Sequence, residues 1–326
     1  MDILFLSLGI VAALGGAQLL VAGGVSLASR LGISTLVVGA IVVGFGTSTP
    51  ELTVNISSAL SGQTGLAIGN ILGSNMFNIC LITGIVALIS PMSISEQAQS
   101  KDLPMCTISA LMIGICGNQL YFDHINYHEL QVSHGLIFLI FFYIFMKYIW
   151  REAASGKTHH ETAARRGGSE ESEDSLLPLP RSVLYIVVGL SLLVAGGEFI
   201  VDGASGIART FGVSERLIGL LIVGPGTSVP ELVASIVAAR KQQVEMVIGN
   251  VLGSNIFNVF FTLGVTALIH PVPLDLALNQ VIVINIFVTL FLALFAWLSP
   301  KKEFGRGVGA VVCLAYAGYI ALSVMG

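Results

Sequence analysis

Two glutamates are the residues of this sequence best placed to do chemistry, because each lies inside a long apolar stretch. Glu51 and Glu231 occur in the related segments GFGTSTPEL at 44–52 and GPGTSVPEL at 224–232. A carboxylate near the middle of a bilayer costs about 2.5–3.5 kcal/mol on insertion scales, so it is retained where it binds something. No Lys or Arg lies within the core of the apolar segments of either half. We therefore interpret the two carboxylates as cation-binding groups, in preference to caps of broken helices or partners of a basic residue.

The residues beside each glutamate supply further oxygen atoms. Pro50 and Pro230 lack the N–H that would bond the carbonyl four residues back, so we expect a kinked helix and freed carbonyls at Gly46 and Gly226. A threonine and a serine precede each glutamate by four and three residues, which predicts that their oxygens converge on one side of a near-helical segment. These residues are Thr47 and Ser48 in the first copy and Thr227 and Ser228 in the second. Such an all-oxygen cluster suits Ca²⁺ or Na⁺ rather than zinc or copper.

A second repeated motif is GNILGSNMFN at 69–78, which returns as GNVLGSNIFN at 249–258. Its polar residues recur every four positions and form one stripe on an apolar helix: Asn70, Ser74 and Asn78, and likewise Asn250, Ser254 and Asn258. Ion ligation and helix–helix packing both explain such a stripe, and we favour ligation for its Ser and Asn residues. We expect Gly69, Gly73, Gly249 and Gly253 to be packing positions, and Asn75 and Asn255 to tie helices together.

The elements that position these motifs must lie in a membrane. The chain is 54% hydrophobic and 10% charged, with a mean hydropathy of +0.88, whereas soluble domains carry about 25% charged residues. Runs of about 20 apolar residues, each long enough to cross the hydrocarbon core, predict an all-α integral membrane protein. The predicted spans are 3–27, 34–60, 65–91, 103–122, 130–149, 182–207, 215–239, 243–270, 277–298 and 306–325. Nucleic acid is not expected as a partner, and Cys80, Cys106, Cys116 and Cys313 are expected to be free thiols.

The two halves of the chain are copies of each other. Both motifs recur with one offset of 180 residues, as from Gly44 to Gly224 and from Gly69 to Gly249. Five spans separate equivalent points, and because five is odd, the second copy enters the membrane in the opposite orientation. The predicted fold is thus ten transmembrane helices in two inverted five-helix repeats, 1–149 and 182–326, joined by a charged linker at 150–181.

Loop charges predict the orientation, since Lys and Arg collect on the cytoplasmic side. With the N-terminus outside, thirteen Lys and Arg residues lie in inner loops and helix ends, and only Arg209 and Arg216 lie outside. Both termini are therefore expected outside and the linker in the cytoplasm. The lack of a targeting segment and the short linker predict a prokaryotic plasma (inner) membrane.

The order GTS-x-PEL followed by GN-xx-GSN-x-FN, present twice and inverted, resembles the α-repeats of the sodium/calcium exchanger family, within the cation/calcium exchanger superfamily. The resemblance covers all ten predicted helices but not the linker. It implies that the first and sixth helices slide across the other eight. It also implies ion ligands at Thr47, Ser48, Glu51, Ser74, Asn78, Thr227, Ser228, Glu231, Ser254 and Asn258, with backbone oxygens of Gly44 and Gly224 assisting.

Two features of this chain bear on that resemblance. The first and sixth predicted helices are rich in glycine, which is expected to give a smooth surface for sliding: Gly9, Gly15, Gly16, Gly23 and Gly24 in one, and Gly189, Gly196, Gly197, Gly203 and Gly206 in the other. Asn258 stands where several members of the family carry Asp, so the site has two carboxylates rather than three. This difference argues against potassium co-transport.

The sequence thus predicts a transporter rather than an enzyme, an antiporter that expels Ca²⁺ in exchange for Na⁺. It needs no cofactor and has Ca²⁺, Na⁺ and the lipid bilayer as its partners, with no obligate protein partner evident. The alternatives are a Ca²⁺/H⁺ antiporter, in which protons neutralise the glutamates, and a passive cation channel, against which the broken helices argue. Glu198 and Asp202 are interpreted as solvated groups rather than ion-vestibule residues, and His159 and His160 as linker residues without further ligands.

Overall fold

The computed structural model of the chain describes residues 1–62, 64–118, 129–155, 176–213, 218–274 and 278–325. Within these ranges the chain is almost entirely helical. Because a bilayer offers no water to hydrogen-bond the backbone, apolar segments satisfy their N–H and C=O groups internally as helices.

The helices of the first half begin at the N-terminus and end near the predicted linker. They are α1 Asp2–Leu31, α2 Thr35–Val38, α3 Phe45–Thr47, α4 Thr49–Leu60, α5 Thr64–Met76, α6 Thr83–Ile89, α7 Leu103–Gly117 and α8 Val132–Ser155. Wider π-helical segments at Gly39–Gly44, Phe77–Ile82 and Ala98–Asp102 connect some of them.

The helices of the second half follow the same order. They are α9 Leu179–Thr210, α10 Gly224–Gly226, α11 Val229–Arg240, α12 Val244–Ile256, α13 Gly264–Ile269, α14 Leu278–Leu298 and α15 Arg306–Met325, with π-helical segments at Gly219–Val223 and Phe257–Leu263. Helices α4 and α11 are each 12 residues long, and α5 and α12 are each 13 residues long, at the 180-residue offset of the sequence repeat.

Six helices or helix pairs of the described residues are long and apolar enough to cross a membrane: Asp2–Leu31, Gly65–Ile89, Val132–Ala154, Leu179–Thr210, Val244–Ile269 and Leu278–Leu298. A seventh candidate is the broken pair Thr35–Thr47 and Thr49–Leu60, whose two parts are bent by 43°. Helices also occur at the other predicted spans; in the fourth, the helix ends at Gly117, and residues 119–122 of the predicted span lie outside the described part of the chain.

Two short antiparallel strand pairs join loops of the two halves. Strand β1, Met92–Ser93, pairs with β4, Glu303–Phe304, so that Met92 lies opposite Phe304. Strand β2, Glu129–Leu130, pairs with β3, Val272–Pro273, so that Leu130 lies opposite Val272. Each pair therefore links a loop of the first half to a loop of the second half.

Helices α1 and α9 pack against each other along their length, and glycine makes this close contact sterically feasible. A methyl group added at Gly16 would lie 2.7 Å from the carbonyl oxygen of Gly189, and one added at Gly196 would lie 2.8 Å from that of Gly9. Methyl groups added at Gly23 and Gly203 would meet the partner helix in the same way, whereas one added at Gly15 would have no atom of the described part of the chain within 4 Å. The expectation of one smooth sliding surface is therefore only partly right, because most of these glycines join α1 to α9.

The predicted linker is shorter than expected at both ends. Helix α8 continues to Ser155, and α9 already begins at Leu179. Arg30, at the end of α1, donates hydrogen bonds to the carbonyl oxygens of Leu176 and Leu177, just before α9. Residues 156–175, including His159 and His160, lie outside the described part of the chain.

The four cysteines are free, as predicted. Cys80, Cys106 and Cys116 are buried, and Cys313 is half-buried. They act as small apolar side chains in the helix packing.

Candidate functional site

Both glutamates lie in the first turn of a helix that follows a break. Helix α4 begins after Ser48, whose φ of −83° and ψ of 9° interrupt the helix, and α11 begins after Ser228, with φ −94° and ψ 6°. The following prolines, Pro50 and Pro230, suit the start of a helix because the first-turn N–H groups need no intrahelical partner. A helix N-terminus favours negative charge, which helps to hold both carboxylates in positions that are 0% exposed.

A serine of each motif donates a hydrogen bond to the glutamate of the other motif. Ser48 Oγ donates a hydrogen bond of 3.0 Å to Glu231 Oε1, and Ser228 Oγ donates one of 3.1 Å to Glu51 Oε1. Each serine thus bonds the glutamate of the opposite motif rather than that of its own motif, because the helix breaks between the serine and the glutamate that follows it. The break turns each serine toward the other half and brings the two glutamates into one site.

The threonines before these serines have different surroundings. Thr47 is buried and donates to the carbonyl oxygen of Val43 at 2.8 Å, within its own helix. Thr227 is half-buried and donates to Asn70 Oδ1 at 3.4 Å, and its Oγ1 also lies 3.4 Å from Ser74 Oγ.

The serines of the second motif also differ in their partners. Ser74 Oγ donates to Glu51 Oε1 at 3.2 Å, which places it beside a carboxylate. Ser254 Oγ instead donates to the carbonyl oxygen of Gly44 at 3.1 Å. Ser74 and Ser254 therefore each contact another residue that the sequence predicts as an ion ligand.

Several buried oxygens of the site lack a hydrogen-bond partner among the described residues. They are Glu51 Oε2, Glu231 Oε2, Asn78 Oδ1 and Asn258 Oδ1. The two asparagines are 0% exposed and lie in π-helical turns, a helix form that is frequent at functional sites. Buried polar atoms nearly always have hydrogen-bond partners, so a group of unpaired oxygens around two carboxylates indicates a ligand-binding site. Oxygen donors of this kind suit a hard cation such as Ca²⁺ or Na⁺.

The asparagines Asn75 and Asn255 connect helices, as predicted. Asn255 Nδ2 donates to the carbonyl oxygen of Asn75 at 3.4 Å, and Asn258 Nδ2 donates to Asn75 Oδ1 at 3.1 Å. These bonds join α5 to α12 and its continuation, beside the glutamates.

Glycines at equivalent positions of the repeat do not pack alike. A methyl group added at Gly249 would overlap the carbonyl oxygen of Leu36, and one added at Gly253 would lie 2.6 Å from the Ala40 backbone. Methyl groups added at Gly69 or Gly73 would have no atom of the described residues within 4 Å. The packing role is thus confirmed for the second-half glycines and wrong for the first-half pair.

The same asymmetry holds for the two predicted backbone ligands. Gly44 is buried under α12, whereas Gly224 is exposed. Val43 is 2% exposed, and its repeat equivalent Val223 is 48% exposed. The segment before Ser48 is therefore packed against α12, whereas Val223 and Gly224 of the equivalent segment are exposed and contact with α5 is made nearer to Ser228, at Thr227.

One buried polar residue near the site was missed by the sequence argument. Asn55 lies one helical turn after Glu51 and is 0% exposed. Its signal was a departure from the repeat, because the equivalent position in the second half is Ser235. Glu198 and Asp202, by contrast, are exposed, as expected of solvated groups.

Comparison with known proteins identifies the family of this chain. The inner membrane protein YrbG of Escherichia coli (strain K12) is 31% identical over 303 residues, 91% of this chain and 88% of that protein. The sodium/calcium exchanger MaX1 of Methanosarcina acetivorans is 28% identical over 347 residues, 98% of each chain. A solved structure of the sodium-calcium exchanger NCX_Mj superposes with a TM-score of 0.82 at 28% identity, over 98% of this chain and 97% of that one. The model of the family described as sodium/calcium exchanger protein matches residues 1–151 and 181–325, so this chain belongs to the sodium/calcium exchanger family.

Proposed function

We propose that this chain is a secondary-active antiporter that exports Ca²⁺ in exchange for Na⁺ by alternating access. The observation that carries the proposal is the pair of fully buried glutamates, Glu51 and Glu231. Each accepts a hydrogen bond from a serine of the other half, and the Oε2 of each has no hydrogen-bond partner among the described residues. Two adjacent carboxylates without a basic partner are unfavourable in lipid unless cations neutralise them. The relative NCX_Mj supports this proposal, since its structures were obtained with Na⁺ and Ca²⁺ or Sr²⁺.

The proposed ligands are the twelve residues predicted from the sequence. They are Thr47, Ser48, Glu51, Ser74, Asn78, Thr227, Ser228, Glu231, Ser254, Asn258 and the carbonyls of Gly44 and Gly224. Two carboxylates balance one Ca²⁺ or two Na⁺, so the two ions compete for shared oxygens. Each ion then favours the inward or outward state only by its difference in affinity for the two states.

The membrane organisation is also a proposal: ten spans in two inverted five-helix repeats, with both termini outside and the linker between α8 and α9 in the cytoplasm. The equal lengths and 180-residue offset of α4 and α11, and of α5 and α12, support the repeat. The bias of Lys and Arg toward one side supports the orientation.

The unequal packing of the two halves supports alternating access. With this orientation, the buried segment before Ser48 lies on the cytoplasmic side and the exposed segment before Ser228 lies on the outer side. We infer that this arrangement closes the site toward the cytoplasm. The opposite state follows if the first segment leaves α12 and the second docks on Gly69 and Gly73.

Ion flux into proteoliposomes tests the proposed function. Uptake of radioactive Ca²⁺ is measured with internal Na⁺, with internal choline at the same pH, and with an imposed pH gradient. We expect uptake that requires internal Na⁺ and is lost in Glu51→Gln and in Glu231→Gln. The exposed Glu198→Gln is the matched control and is expected to retain uptake. Uptake driven by the pH gradient alone would assign Ca²⁺/H⁺ exchange instead, and uptake that needs neither gradient would indicate a channel.

A further inference from the structure

Asn55 is a buried polar residue to which the proposed ligand set gives no role. It lies on the buried face of α4, which is formed by Glu51, Asn55, Ser58 and Ala59. Neither its Oδ1 nor its Nδ2 has a hydrogen-bond partner in the part of the chain that the structure describes. An unpaired buried amide is unfavourable, so this side chain needs a ligand that the protein itself does not provide.

Asn55 lies at the same level as Asn70 on the neighbouring helix. Helices α4 and α5 form an antiparallel hairpin whose turn contains Gly62, with φ 71°. The hairpin register is fixed by Ser74, which bonds Glu51 at 3.2 Å. One helical turn closer to the turn of the hairpin, the same register places Asn55 opposite Asn70. Within the described ranges Asn70 Nδ2 also has no hydrogen-bond partner, and Asn70 Oδ1 accepts the 3.4 Å bond from Thr227.

In the second half of the chain, the two side chains at the equivalent positions are hydrogen-bonded to each other. Ser235 and Asn250 are the repeat equivalents of Asn55 and Asn70. Asn250 Nδ2 donates to Ser235 Oγ at 2.9 Å and to the carbonyl oxygen of Glu231 at 3.3 Å. The hydroxyl of Ser235 is thus engaged by its neighbour. Asn55 therefore adds, in the first half alone, an amide whose oxygen is available to an ion.

We propose that Asn55 Oδ1, Asn70 Oδ1 and Glu51 Oε2 form a sodium subsite, on the side of the glutamates that faces the α4–α5 turn. This inference rests on the proposed exchange function. One carboxylate oxygen and two neutral amide oxygens match a single positive charge, whereas Ca²⁺ sites usually gather more carboxylate. Through Asn70, the subsite lies beside Thr227, so its occupancy is linked to the broken segment of the second half.

The test replaces Asn55 by leucine, which has a similar size and no oxygen. Thermal unfolding of the purified, full-length protein is followed during separate titrations with NaCl and with CaCl₂, because an ion that binds the folded state raises its stability. In Asn55→Leu we expect the Na⁺ midpoint to rise about tenfold and the Ca²⁺ midpoint to change less than about threefold. The ion-free variant is expected to be more stable than the wild type, since an unpaired buried amide is removed.

Ser235→Ala is the matched control, because it changes the equivalent position of the other half. We expect its Na⁺ midpoint to stay within about threefold of the wild type. Asn55→Ser keeps a polar side chain and serves as the test variant if the leucine variant does not fold. It too should weaken Na⁺ binding more than Ca²⁺ binding.

Equal shifts of the Na⁺ and Ca²⁺ midpoints in Asn55→Leu would overturn the subsite. A loss of stability of this variant without ions would overturn it too, since either result indicates that the Asn55 amide stabilises the fold rather than binding Na⁺. A wild-type Na⁺ midpoint in Asn55→Leu would also overturn it while leaving Na⁺/Ca²⁺ exchange intact. A wild-type protein stabilised by neither ion would contradict the proposed function itself, and the subsite with it.

Discussion

Ser48 Oγ donates a hydrogen bond of 3.0 Å to Oε1 of Glu231, a residue 183 positions away in the other half of the chain. The reciprocal bond, from Ser228 to Glu51, has nearly the same length, 3.1 Å. Each carboxylate is therefore oriented by the opposite motif. A movement of either broken helix changes the surroundings of both glutamates, so this pair of bonds links the ion site to the relative position of the two halves.

Removing either cross-bonding hydroxyl should weaken ion binding. We expect Ser48→Ala and Ser228→Ala each to raise the Ca²⁺ concentration for half-maximal uptake by about tenfold to a hundredfold, since a hydrogen bond to a charged group contributes about 1.5–3 kcal/mol. The measurement is Na⁺-driven Ca²⁺ uptake in proteoliposomes. Ser191→Ala is the control, because Ser191 is exposed and donates only to Val187 in its own helix. A wild-type Ca²⁺ dependence in both variants would show that the cross-bonds do not position the carboxylates.

The sequence predicted several of the residues that the structure brings into contact, but not which of them pair with each other. The repeat identified Glu51 and Glu231, and a buried carboxylate without a basic partner indicated a cation. The spacing of Ser48 and Glu51 within one motif assumed a continuous helix, and the break at Ser48 makes that spacing uninformative about side-chain direction. A contact over 183 residues depends on how the halves pack, which local patterns do not specify.

The unequal packing of Gly69 and Gly249 could likewise not be predicted from the sequence. The two glycines stand in nearly identical motifs, and both were expected to be packing positions. Which of the two glycines is covered depends on the conformation of the transporter. The repeated motif therefore predicts that both glycines belong to a packing surface, but not which of them another segment covers. Asn55 was missed for the opposite reason, because it lies where the two copies differ.

Alanine at Gly249 and at Gly69 should separate stability from transport. In Gly249→Ala the added methyl group overlaps the Leu36 carbonyl, so we expect the ion-free protein to lose about 1–3 kcal/mol of stability, as overpacked cores do. Gly69→Ala has open space in this state, and its thermal stability should be unchanged. Both variants should slow Ca²⁺ uptake, because each blocks one of the two closed arrangements. Wild-type uptake in Gly69→Ala would contradict docking on that glycine.

The glycine contacts between α1 and α9 should be essential for the two helices to remain together. Gly16→Val places side-chain atoms where the Gly189 backbone lies, and we expect a clear loss of folded protein after detergent extraction. Gly15→Val is the matched control, since that position is open, and it should be extracted in a folded state like the wild type. Size-exclusion chromatography and thermal unfolding measure both outcomes. If both variants behave alike, close contact through Gly16 does not hold the pair.

Cysteine labelling should show from which side the site is open. In a variant without the four native cysteines, Val223→Cys and Val43→Cys introduce thiols at equivalent positions of the repeat, of which Val223 is 48% and Val43 is 2% exposed. With the proposed orientation, Val223 lies on the outer side, so a membrane-impermeant thiol reagent added outside should modify Val223→Cys rapidly. Val43→Cys should react at least about tenfold more slowly from either side, because the segment before Ser48 is closed against α12. Rapid labelling of Val43→Cys from the cytoplasmic side, with Val223→Cys protected, would show that the ion-free protein in the membrane prefers the opposite state.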